Sequence, residues 1–160
     1  MAIYIEYDGI EGDVTADGYA KHFAVEDFSF GVGRAISMES GNMANRESTR
    51  PSLSEVVVTK ELDKSSASLF SQSVTGTKGT TVKIKFVRTG EKKIEKYLEL
   101  ELKNVLVSSY SVTANSEGMP TESLSLSYTE VLVSHFVFDG ANANGTPYRH
   151  AYSLEKGKSV

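Results

Sequence analysis

Val56-Val57-Val58-Thr59-Lys60-Glu61-Leu62-Asp63-Lys64-Ser65-Ser66 reads as the end of a strand followed by the start of one short helix. The β-branched run favours extended backbone. Asp63 is placed to cap a helix of about three turns running to Val74. Ala67, Phe70 and Val74 fall on one stripe of that helix, and Gly76 is expected to end it in the left-handed conformation. Its many serines are mediocre helix formers, so it needs tertiary packing to persist.

Outward from this stretch, every other regular segment reads as β. Residues 2–8 form a first strand, closed by turn signals at Asp8-Gly9 and Gly12-Asp13. Residues 23–30 form a second. Its Phe28 and Phe30 share a face, and Ser29 points the other way. Residues 53–60 form the third. Val82, Ile84 and Phe86 alternate with Lys83 and Lys85, turn near Thr89-Gly90, and are answered by Leu98, Leu100 and Leu102 alternating with Glu99, Glu101 and Lys103. This implies a hairpin with one buried and one wet face, basic residues on one strand meeting acidic ones on the other. Residues 105–112 add a strand. Residues 123–128 add another, with Leu124, Leu126 and Tyr128 inward and Ser123, Ser125 and Ser127 outward. Residues 131–138 are apolar on both faces apart from Ser134 and His135, which points to barrel closure or a subunit interface. Val131, Val133 and His135 are the candidates for that interface. Residues 148–154 supply a last strand.

Seven or more strands at regular spacing with one helix give a mainly β fold, a β-barrel or sandwich. Long open edges are an aggregation hazard unless the sheet closes or edges pair between subunits. Residues 31–52 follow neither period. This long loop carries Gly31, Gly33 and Pro51 together with Ile36, Met38 and Met43, a pattern that suits docking on a partner.

The bulk properties narrow the function. At 160 residues the chain is read as one domain, 1–160. There is no cysteine, so there is no disulfide and no thiolate metal site. The formal charge of −4 argues against non-specific binding to nucleic acid or anionic membranes. The first 20 residues lack the basic start and apolar stretch of a signal peptide, and no run approaches a membrane span.

Chemistry-bearing patterns are sparse. His22, His135 and His150 lack paired ligand spacing, so no metal site is expected. Gly31-Val32-Gly33 has Ile36 where a third glycine is needed, and Lys78-Gly79-Thr80 inverts the phosphate-loop order, so no cofactor is expected. Ser153-x-x-Lys156 lacks supporting motifs. Glu99 and Glu101 sit about 7 Å apart on one strand face, a spacing that would suit glycosidase carboxylates. Facing lysines and the absence of tryptophan favour a solvated sheet face instead. No catalytic residue is assigned.

Three segments in order, Phe28-Ser29-Phe30-Gly31, Thr59-Lys60 with Asp63-Lys64-Ser65-Ser66 and Leu69, and Val105-x-Val107-Ser108-Ser109, are joined by Pro120-Thr121-Glu122 leading into Leu124-Ser125-Leu126-Ser127-Tyr128. Together they resemble the haemolysin-coregulated protein (Hcp) family of the bacterial type VI secretion system, over nearly the whole chain. Family members often carry tryptophan at one or both of the Phe28 and Phe30 positions. The resemblance implies a structural tube subunit rather than an enzyme. In that family the fold is a β-barrel of two packed antiparallel sheets flanked by a short helix. The resemblance implies that six copies form a ring, that rings stack into a hollow tube tipped by a spike protein and driven by a contractile sheath, and that the lumen holds small effector proteins. It further implies assembly in the bacterial cytoplasm followed by type VI secretion. Under it, Ser29 lines the lumen, and the 31–52 loop packs on the next ring through Arg34, Met38, Met43, Arg46 and Arg50. The competing reading is a monomeric small-ligand-binding β-barrel, whose mark is an interior too large to fill.

Overall fold

The computed structural model describes residues 1–36, 40–41, 49–90, 93–139 and 142–160; at residues 139 and 142–144 the description is of the backbone. In chain order the elements are β1 (Ala2–Tyr7), β2 (Phe23–Val25), β3 (Asp27–Ser29), β4 (Val32–Gly33), β5 (Ser52–Leu53), β6 (Val56–Glu61), α1 (Ser66–Thr75), β7 (Thr80–Thr89), β8 (Ile94–Thr113), β9 (Thr121–Ser127), β10 (Glu130–Asp139), β11 (Asn142–Ser153) and β12 (Lys158–Ser159).

Two antiparallel sheets share bent strands. The first runs β12-β11-β10-β8-β7-β1-β2, and the second runs β3-β6-β9-β8. The expected single strand over 23–30 is therefore two. It turns at Glu26, whose amide donates to the Thr59 carbonyl at 2.8 Å, and passes from the first sheet to the second. Conversely, the two strands expected between 97 and 112 are one, the 20-residue β8. Its first half pairs with β7 and β10 and its second with β9. The turn between halves lies at Asn104, whose φ of 53° is in the left-handed region. Asn104 Nδ2 donates to Thr129 Oγ1 at 3.1 Å. Gly79 lies against it so closely that a Cβ there would stand 2.6 Å from the Asn104 Cα. With these two corner strands, the pairings β7–β1–β2/β3–β6–β9–β8–β7 return to their start.

The space between the sheets is filled by inward residues at period two. Ile5, Phe23, Val56, Val58, Val82, Ile84, Leu102, Leu124 and Leu126 are all fully or almost fully buried. Phe28 meets the Phe86 ring edge-on at 5.0 Å. The interior mark of a ligand-binding barrel, a core left unfilled, is not what these side chains build.

Helix α1 departs from its sequence reading in three ways. Its buried residues are Ser66 and Leu69, while Phe70 and Val74 are 55% and 65% exposed. The helix starts at Ser66, three residues beyond Asp63. There the Asp63 carboxylate accepts the Ser65 amide at 2.9 Å and the Lys60 ammonium at 2.9 Å rather than a first-turn amide. Gly76 is extended, with φ −66° and ψ 118°, so left-handed freedom is not what it supplies. A Cβ there would sit 2.5 Å from the Gln72 carbonyl oxygen, so a close approach of backbone to backbone requires glycine.

The long loop has an ordered stem. Val32–Gly33 pairs with Ser52–Leu53, extended by Ser54 N–H to the Gly31 carbonyl and Thr49 N–H to the Ala35 carbonyl, both 2.9 Å. The period-free reading of 31–52 missed this two-stranded ribbon because each strand is only two residues long.

Candidate functional site

The outer face of the second sheet is built by register. Ser29, Val57, Ser125 and Ser109 form one row across β3, β6, β9 and β8, and Asp27, Thr59, Ser123 and Ser111 form the next. Alternation explains why: Phe28, Val58, Leu124 and Tyr110 occupy the intervening row on the core face. Ser29 is exposed while Phe28 and Phe30 pack on the core, as the pattern of that strand implies. Hydroxyl contacts knit the face. Thr59 Oγ1 donates to Asp27 Oδ2 at 2.9 Å, and Ser108 Oγ bonds the Glu55 carboxylate and the Ser125 carbonyl. Val57 and Leu106 are its exposed apolar side chains, at 36% and 37%. The face is thus polar and carries carboxylates at Asp27 and Glu61. Such a surface stays hydrated and offers little apolar area for adhesion.

Two edges bound this sheet. Among the described residues β3 pairs only with β6, and β8 beyond Val105 pairs only with β9. Unpaired strand edges are templates for further pairing.

Beneath the face lies a buried charge cluster. Lys60 and Glu122 are both fully buried, and Lys60 Nζ lies 3.3 Å from Glu122 Oε2 and 2.9 Å from Asp63 Oδ1. The same ammonium donates to the Glu61 carbonyl at 2.9 Å. Among the described residues Glu122 Oε1 has no hydrogen-bond partner. The Tyr110 phenol is raised above its usual pKa by burial first, then by the neighbouring Glu122 carboxylate. Lys60 and Glu122 continue the inward series Val56, Val58 and Leu126, Leu124, so period two alone placed them in the core. Both are charged residues at the strand ends, so the sequence alone reads them as outside the core although the alternation reaches them.

The other candidate residues disperse. Arg34 and Arg50 are exposed on the loop stem, while Met38, Met43 and Arg46 lie outside the described residues. Val131 belongs to the chain's own core, Val133 packs against that core, and His135 is exposed. Both hydrogen-bonding edges of β10 are paired within the chain, by β8 and β11. Glu99 faces Lys85 in register and is bound by Lys96, and Glu101 faces Lys83. These carboxylates sit in a lysine-paired sheet face. Lys85 in turn holds Glu6 at 2.7 Å, and this bond is the main cause of a lowered Glu6 pKa. Among the described residues no helix is long and apolar enough to cross a membrane.

A family model described as "Type VI secretion system effector, Hcp" matches residues 4–135. The chain belongs to this family. A solved type six secretion system protein is 26% identical, with a TM-score of 0.90, and covers 99% of each chain. Hcp1 from Salmonella typhimurium shares the fold at 17% identity and a TM-score of 0.76, covering 99% of this chain and 98% of that one. A type VI secretion system effector from Yersinia pestis does so at 18% identity and a TM-score of 0.75, over 94% and 98%. No curated protein matches the chain. Membership in the Hcp family makes this a tube/effector protein of the type VI secretion system, a secreted structural protein by family.

Proposed function

We propose that residues 1–160 form one domain that assembles with five copies of itself into a ring, and that such rings stack into the inner tube of the secretion machine. The observation that carries this reading is the serine-lined sheet with an unpaired strand at each edge. Joining β3 of one copy to β8 of the next covers both open edges of this sheet. It also turns the hydroxyl-bearing face of every copy toward the same side. Facing inward, that face lines a water-filled lumen in which small effector proteins are held, with Ser29 at its surface. The exposed Arg34 and Arg50 on the loop stem support a role for the 31–52 loop in ring-to-ring contact. In this reading the tube assembles in the cytoplasm, is tipped by a spike protein and is expelled by a contractile sheath. Size-exclusion chromatography with light scattering, followed by electron microscopy, tests it. The expected result is a particle of about six subunits with a central hole, and a monomer at micromolar concentration would overturn it.

A further inference from the structure

The two open edges of the serine-lined sheet carry different apolar surfaces. Beside β8 stands the convex face of α1, where Phe70 and Val74 are 55% and 65% exposed and Phe70 rests on the Tyr110 ring at a centroid distance of 5.9 Å. Leu69, not this stripe, anchors the helix in the core. Beyond the end of β3 lies a concave groove of about 300 Å³, lined by Phe30, Val32, Leu53, Val133 and Tyr152. Val32 in it is 62% exposed. One chain therefore presents a ridge at one edge and a groove at the other. A chain with two different complementary patches associates head to tail, and such contacts generate closed rings when the rotation closes.

The register decides whether ridge and groove meet. β3, β6, β9 and β8 alternate in direction, so β3 of one copy and β8 of the next are antiparallel and the sheet continues without reversal. Phe28 lies in the row of Tyr110, the residue under Phe70. From there α1 runs toward β7, which begins at Thr80 opposite Val105, so Val74 lies on the Val105 side of Phe70, back toward the start of β8. Four helical residues advance about 6 Å. Two strand residues, from Phe28 to Phe30, advance about 6.6 Å in the same direction. Unshifted edge pairing thus sets Val74 level with Phe30 and the mouth of the groove.

Building on the proposed ring, we infer that the α1 face carrying Phe70 and Val74 seats in the next copy's groove, so that a second copy of this chain is the groove's occupant. Because the chain has no cysteine, the contact is testable by a disulfide. The double variant Val74→Cys/Val32→Cys, oxidised at micromolar concentration, should give a covalent ladder ending at the closed ring, while neither single variant forms a ladder. Phe70→Glu should dissociate the assembly into monomers with unchanged circular dichroism, since Phe70 is more than half exposed in one chain. A wild-type ring that survives Phe70→Glu, with neither Val74→Cys/Val32→Cys nor Phe70→Cys/Val32→Cys linking copies, would overturn the ridge-and-groove contact and leave the ring standing. A wild-type protein that is itself monomeric would overturn the ring and this contact together.

Discussion

Lys60 and Glu122 stand opposite each other on β6 and β9 with both side chains fully buried and Nζ 3.3 Å from Oε2. Removing two charges from water is costly, and their attraction repays it only when the remaining polar atoms are satisfied. Here the ammonium is well bonded, with Asp63 and the Glu61 carbonyl as further partners, but among the described residues Glu122 Oε1 is not. What the pair does supply is specificity. A slip of β9 by one residue would bury Thr121 or Ser123 against Lys60 and leave the ammonium without its carboxylate. The pair also ties the sheet to the start of α1 through Asp63 and Ser66.

Replacing one partner alone should therefore be severe. Lys60→Met leaves Glu122 buried and unpaired, and a loss of about 3–5 kcal/mol is expected. Lys60→Met combined with Glu122→Leu should recover most of that loss, because no buried charge is stranded on β9. Urea unfolding of the two single variants and the double variant, at one fixed protein concentration, measures the coupling. Additive losses would show that the two side chains act independently.

Tyr128 sets an alkaline limit on stability. Its hydroxyl donates to the Ser54 carbonyl at 2.7 Å, and burial, with help from Glu55, pushes its pKa up to about 12 from a usual 10. The folded pKa is raised, so the unfolded chain ionises first. The stabilisation is complete below pH 10 and is lost as pH rises from 10 toward 12. Burial raises the Tyr7 and Tyr19 phenols in the same direction. Tyr128→Phe should cost about 1 kcal/mol at neutral pH from the lost hydrogen bond. It should also weaken the fall in melting temperature above pH 10. A parallel fall in wild type and variant would place the alkaline sensitivity on the other tyrosines.

How much of this was legible in the sequence follows from what each feature depends on. Alternation between Phe28 and Ser29, or Leu124 and Ser125, depends on residues two apart, so the inward and outward faces were readable. The corners were legible only in part. Glu26 sits inside what reads as one strand over 23–30, and the break between Lys103 and Val105 reads as the end of one strand and the start of another. Only the pairing with β6 and β9 shows that the chain bends at both places. Helix α1 was placed correctly, but its exposed stripe was misread. Ala67, Phe70 and Val74 form a good amphipathic pattern whether the apolar side meets its own core or solvent. Leu69, one residue off that stripe, took the buried position. The serine row across four strands needed the pairing order, because Ser29 and Ser109 are 80 residues apart in the chain and meet only through β6 and β9.

Within the ring proposal, Ser29 tests the lumen. It is exposed and shares its row with Ser125 and Ser109. Ser29→Glu should leave the melting temperature and the particle size unchanged, since surface substitutions usually stay within about 0.5 kcal/mol. It should reduce the amount of effector that co-purifies with the ring. Equal recovery of effector from Ser29→Glu and wild type would place the cargo contact elsewhere on the sheet.

Within the same proposal, stacking of rings is the contact most open to salt. Each copy carries a formal charge of −4, so stacking six-membered rings brings like charge together. Arg34 and Arg50 stand exposed on the ribbon of β4 and β5, and they offset this repulsion locally if they meet acidic residues of the next ring. Repulsion across the whole ring face acts over long distances and is screened beyond about 8 Å at physiological ionic strength, whereas close arginine–carboxylate pairs are screened less. Raising salt from very low to physiological levels should therefore lengthen the stacks. Deleting residues 38–46 should abolish stacking yet keep single rings, because the deletion spares the ribbon and every strand of the two sheets. Sedimentation and electron microscopy of the deletion variant across that salt range check both expectations. Tubes that persist without the segment would move the stacking contact off the loop, and a monomeric variant would show that the loop builds the ring itself.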